Sequence, residues 1–214
     1  MNTLLNKYWF IFSLLVIGFA YSSFPSTKIQ YVVSGDTLSQ PYFRNLSLDD
    51  SHENIKYAVV HIHGSPGGYA HEQYNNMVTA LSTSGIQDST ILIAPVFPWQ
   101  DNIDDDNLGD DVLYWSDSEW SSGDLSRNTQ SNPRPFRISS YSTIDTIYHR
   151  LVENNTNLKR IVLTGHSSGS QMVVRFAAGG RAPENLSETG VDFIYVPMNT
   201  SSFLYYNENR VLDE

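Results

Sequence analysis

The sequence predicts an α/β protein, with a mostly parallel central sheet and helices on both of its faces. Three observations predict it. From residue 56 onward, short apolar runs alternate with segments whose apolar residues recur at helical spacing, the pattern of strands joined by crossover helices. The runs include Val59-Val60 and Ile161-Val162-Leu163 without polar alternation, as expected where a strand is covered on both faces. Two of the runs end abruptly in glycine-rich turns, Gly64-Ser65-Pro66-Gly67-Gly68 and Gly165-His166-Ser167-Ser168-Gly169.

Taken in order, residues 29–35 read as an early strand, with 41–48 as its hairpin partner. Residues 56–64 form a stronger strand and stop at the first glycine turn. Residues 72–84 follow at helical spacing, with Tyr74, Met77 and Leu81 on one side, and 89–97 are the next buried strand. Residues 100–135 are polar, show no period and are rich in Asp, Ser, Asn and Trp. An insert of that length in a small domain reads as a functional loop or lid. Ser142 and Asp145 have the spacing of a capping box, and Ile144, Ile147, Tyr148 and Leu151 make an amphipathic helix after it. A strand at 158–165, a helix at 168–178 and a last strand at 191–199 complete the series.

The chemistry concentrates in the two turns. Gly165-His166-Ser167-Ser168-Gly169 fits G-x-S-x-G, in which a serine sits on a strained strand-to-helix turn. Glycines two positions to either side let helix and strand approach closely, and the helix that starts at Ser168 turns its positive end toward the serine. His63-Gly64-Ser65-Pro66-Gly67-Gly68 ends an earlier strand on the same carboxyl edge, where open α/β sheets bind ligands. Acyl transfer needs backbone N–H donors aimed at a developing oxyanion. Ser168 supplies one and Ser65 the other, since Pro66 has no N–H.

Together the two turns resemble the α/β-hydrolase superfamily, HGSPGG as its His-Gly-x-Pro oxyanion loop and GHSSG as its nucleophile elbow. The Asn199 to Tyr205 stretch is similar to one in a poorly characterised secreted branch, and the resemblance covers roughly residues 56 to 210. It implies Ser167 as nucleophile, the N–H groups of Ser168 and Ser65 as oxyanion donors, and Gly165, His166, Gly169, His63, Gly64, Gly67 and Gly68 as their support. It also implies an ester or similar acyl substrate, small or lipid-like, with no metal and no organic cofactor. A serine peptidase of the same fold is one alternative, and a non-catalytic binding protein another. The superfamily places an acid and then a histidine after the serine, yet none of the six histidines follows Ser167. Only about six of eight expected strands are legible, so the last strands are expected to be missing. The simplest expectation is a domain spanning 23–214 that is incomplete at its C-terminus and inactive or weakly active. An intact non-catalytic relative and an enzyme with a relocated base come after it.

Composition sets the remaining bounds. A chain of 214 residues, 40% hydrophobic and 17% charged, suits one globular domain. The net charge of −10, with no basic cluster, argues against nucleic acid as a partner. The absence of cysteine excludes disulfides and thiolate chemistry. Residues 1–22 carry one lysine, an apolar run from Tyr8 to Ala20 and small residues at Ala20 and Ser22, the pattern of a secretory signal. The protein is therefore expected to be secreted or extracytoplasmic, touching a membrane only if this segment stays on as an anchor. Four Asn-x-Ser/Thr sequons occur, at Asn45, Asn154, Asn185 and Asn199. An EF-hand register starting at Asp104 fits Asp106 and Gly109 but fails at Leu108 and Trp115, so the acidic run reads as a solvated loop.

Overall fold

The computed structural model describes residues 24–65, 70–117 and 119–204. The signal-like segment 1–22 lies outside them, as do Gly67, Gly68 and Tyr205.

Six strands form one sheet in the order β1-β2-β4-β3-β5-β6. They are β1 (Lys28–Val33), β2 (Asp36–Arg44), β3 (Tyr57–Ile62), β4 (Thr90–Pro95), β5 (Arg160–His166) and β6 (Asp192–Met198). The first pair is an antiparallel hairpin and β2 also runs antiparallel to β4; β4, β3, β5 and β6 are parallel. This is the mostly parallel α/β sheet that the alternating pattern predicts. The second strand starts earlier than expected, at Asp36 rather than Pro41. The reason is a two-residue turn, Ser34-Gly35, with φ of 53° and 94°, which matches the twist of a tight hairpin and leaves no room for a longer loop.

Strand alternation divides the core in two. Ala58, Val60, Ile62, Ile91, Ile93, Ile161 and Leu163 share one face and pack with α3 (Ser140–Asn154) and α4 (Ser168–Gly179). Val59, Leu92 and Val162 take the other face and pack with Tyr74, Met77 and Leu81 of α1 (Ala70–Thr83). Helices thus cover both faces, but α1 leaves the β6 end of its own face bare. There Ile194 and Val196 are 40% and 39% exposed. Two further helices are short, α2 (Gln100–Asp105) and α5 (Ala182–Asn185).

Two sequence expectations need local correction. The N-cap of α3 is Ser139, whose hydroxyl accepts the Tyr141 N–H at 3.1 Å, three residues before the expected box at Ser142. Asp145 instead reaches across to α5 and accepts the N–H groups of Arg181 and Ala182 at 3.0 and 2.8 Å. The aperiodic insert contains α2 and a 3-10 turn at Glu119–Ser122, and it is part of the core. Leu113, Trp115 and Trp120 are fully buried in the main cluster. Arg134 is buried too, donating to the carbonyls of Val112, Pro133 and Gly109 beneath the Tyr114 ring.

Candidate active site

The central observation is at the end of β5. Ser167 joins β5 to α4 with φ 55° and ψ −117°, a backbone conformation a side-chain-bearing residue rarely adopts. The surroundings enforce it. Its N–H donates to the Met198 carbonyl at 3.1 Å, tying the turn to the end of β6, while its own carbonyl accepts the Ser170 N–H at 3.0 Å and opens the helix. The flanking glycines are required by space. A Cβ on Gly165 would stand 2.5 Å from the Gly169 backbone, and one on Gly169 would stand 2.3 Å from the Ile62 carbonyl oxygen. The second contact shows that α4 starts directly against the end of β3. This is the strand-to-helix elbow that the motif predicts.

Because β3 lies beside β5 in the sheet, Gly64 and Ser65, where the first glycine turn begins, come to the same place. A Cβ on Gly64 would lie 3.4 Å from Ser167 Cβ and 3.2 Å from the His166 carbonyl. Ser65 is exposed and shares a cleft of about 450 Å³ with Gly64, Glu72, Gln73, Asn76, His166 and Ser167. The cleft is thus bounded by the elbow, the glycine turn and the first two turns of α1. Among the described residues the Ser65 and Ser168 N–H groups carry no hydrogen bond, whereas the Gly64 N–H is taken by Gln73 Oε1 at 3.1 Å. The positive end of the α4 dipole adds to the attraction for a negative oxygen there.

His63 holds the turn and is fully occupied in doing so. Its Nε2 accepts the Phe97 N–H at 3.0 Å, so Nδ1 carries the proton and donates to the Gly64 carbonyl at 2.7 Å. The ring sits 5.0 Å from Trp120, which stacks on Phe97 at 5.1 Å. Burial holds the imidazole neutral, lowering its pKa to about 4 against the Gly64 hydrogen bond. His61 is likewise buried and lowered to about 4, chiefly by desolvation, and its Nδ1 is without a partner among the described residues. His166 is bonded to Asn199, with 2.8 Å between Nε2 and Nδ2. No described imidazole is hydrogen-bonded to Ser167 Oγ.

The run after β6 has a role that sequence reading missed. Asn199 turns the chain with φ 52°, and three successive hydroxyls then meet α4. Thr200 bonds Ser170 at 2.7 Å, Ser201 accepts from Gln171 at 2.5 Å, and Ser202 accepts from Arg175 at 3.2 Å. Arg175 also donates to Ser121 and Ser122, joining the insert to the same helix. Only the Asn-Thr-Ser-Ser sequence itself hinted at this, since its partners lie about thirty residues away. Among the described residues no group of three or more His, Cys, Asp or Glu side chains is placed to hold a metal ion.

Solved structures of several hydrolases resemble the chain at low identity and with low structural overlap. The poly(3-hydroxybutyrate) depolymerase LpqC from Bordetella parapertussis is 17% identical, with a TM-score of 0.42 over 73% of this chain and 48% of its own. A lipase/esterase from Lactobacillus plantarum is 15% identical, with a TM-score of 0.36 over 81% and 56%. The siderophore hydrolase EstB from Aspergillus nidulans is 14% identical, with a TM-score of 0.33 over 70% and 50%. The chain spans about half the length of each of these molecules. No family profile matches it, and no curated protein matches it significantly.

Proposed function

We propose that this chain carries the nucleophile and oxyanion half of a serine hydrolase acting on an ester or similar acyl bond. The strained backbone of Ser167 at the mouth of a cleft carries the reading, because such strain persists only where the surroundings over-determine it. Ser167 Oγ would attack the acyl carbonyl. The negative charge that develops on the carbonyl oxygen would be received by the N–H groups of Ser168 and Ser65, and the alcohol would leave with a proton from the base. No described histidine is hydrogen-bonded to Oγ as that base: His63 uses both ring nitrogens, His166 bonds Asn199, and His61 is buried with its Nδ1 unpartnered among the described residues. We place it, with its acid partner, outside these 214 residues, in a longer product of which this is the leading part. Without a base a serine site loses about a million-fold in kcat, so the chain alone would be inactive or nearly so. The signal-like segment 1–22 would direct the protein out of the cytoplasm.

One observation favours a second reading. Because Ser167 Oγ has no hydrogen-bonded base among the described residues, the cleft would also serve a protein that binds acyl compounds without turning them over.

A fluorophosphonate probe separates the two. A longer product should label at Ser167, the 214-residue chain should label slowly or not at all, and Ser167→Ala should abolish labelling in both. Absence of labelling in every product would leave the binding reading alone standing. Rapid labelling of the 214-residue chain would overturn the placement of the base.

A further inference from the structure

We infer that Gln73 is a positioning residue for the oxyanion turn, deciding which backbone amide faces the reacting oxygen. The inference rests on the hydrolase reading of the cleft. Gly64 and Ser65 line the cleft with Ser167, and a hydrolase site needs one of their amides free and the other controlled. Gln73 lies in the first turns of α1, half-buried, nine residues beyond Gly64, and no motif marks it. Its Oε1 takes the Gly64 N–H at 3.1 Å. Its Nε2 would lie 3.4 Å from a Cβ on Gly64, as would Ser167 Cβ, so the carboxamide packs against the residue that neighbours the serine. His63 fixes the next peptide unit, the one that carries the Ser65 N–H, by donating to the Gly64 carbonyl. With N–H and C=O both held, Gly64 cannot rotate, and the next amide, that of Ser65, is the one left open to the cleft.

The amide group of Gln73 also fits its neighbours. It lines the polar cleft with Glu72 and Asn76, and a smaller pocket of about 170 Å³ with His61, Met77 and Met198. A neutral acceptor holds the Gly64 N–H without placing negative charge beside a developing oxyanion. A carboxylate would hold the same N–H but oppose that charge. A thioether or alkyl side chain would leave Gly64 free to turn its own N–H into the cleft.

Two variants and two readouts test this. In the 214-residue chain, residue-resolved amide exchange needs no turnover. Gln73→Met, similar in size but without a strong acceptor, should raise the Gly64 exchange rate tenfold or more and leave β3 and α4 amides unchanged. Gln73→Glu, which keeps an acceptor, should restore the protection. In whichever product labels with fluorophosphonate, Gln73→Met should lower the maximal inactivation rate about tenfold or more at constant probe affinity. Gln73→Glu should fall between it and wild type. Unchanged Gly64 exchange in Gln73→Met overturns the inference, as does faster exchange with undiminished labelling. A wild-type serine inert in every product overturns the hydrolase reading and the role of Gln73 together.

Discussion

Ser167 and the groups that hold it show how much of a site one residue can commit. The elbow was legible because its geometry writes itself into glycine spacing: only Gly165 and Gly169 let α4 begin against β3. Gly169→Ala would drive a methyl group to 2.3 Å from the Ile62 carbonyl oxygen. It should cost about 1–3 kcal/mol or more, read as a lower midpoint in urea denaturation. His61 and His63 set an acid limit. Their pKa values are lowered in the folded chain to about 4, from 6.5 when unfolded, so between those values the unfolded state binds more protons. Their contribution is complete above pH 6.5 and is lost as pH falls toward 4, at up to about 1.4 kcal/mol per pH unit for each. Denaturation curves at pH 7 and pH 5 should differ accordingly, and a chain equally stable at both would contradict the buried neutral tautomer of His63. Gln73 and the hydroxyls of Thr200 to Ser202 were not legible, because their partners are set by the fold rather than by neighbours in sequence.

At the level of elements, what the sequence revealed followed apolar periodicity. The strands β3 to β5 and the buried side of α3 announce themselves because burial selects Val, Ile and Leu at nearly every position or every third to fourth. The segment from residue 100 to 135 announces nothing, since it buries single large rings in irregular backbone. Those rings still carry weight: Trp120 fills the space between Phe97 and His63, and Trp115 lies edge-on to Phe97. Trp120→Ala should cost about 3–5 kcal/mol, and loosening of His63 should raise the exchange rate of the Phe97 amide. Asp145 illustrates a different blind spot. Read locally it completes a cap on its own helix, yet across space it caps α5. Asp145→Ala should lower stability by about 1 kcal/mol while α3 keeps its helicity by circular dichroism.

For the whole molecule, the sheet is unevenly clothed. One face is covered by α3 and α4, whereas on the other α1 stops short of β6, leaving Ile194 and Val196 in solvent beside an edge with no paired strand among the described residues. Exposed strand edges with apolar side chains invite self-association, and a net charge of −10 opposes it. Raising the salt to about 1 M shortens the screening length to about 3 Å and should therefore shift the 214-residue chain toward oligomers in sedimentation velocity. Ile194→Lys should keep it monomeric under the same conditions. The bareness of this face was only indirectly legible, as too few strands for the resemblance, because no residue in β6 signals what covers it. The ring contact beside the glycine turn offers something else. An excited indole passes an electron readily to a protonated imidazole and poorly to a neutral one. Trp120, 5.0 Å from His63, is therefore a native fluorophore wired to that imidazole, and dimming of its emission in acid would report the protonation of His63 without any added dye.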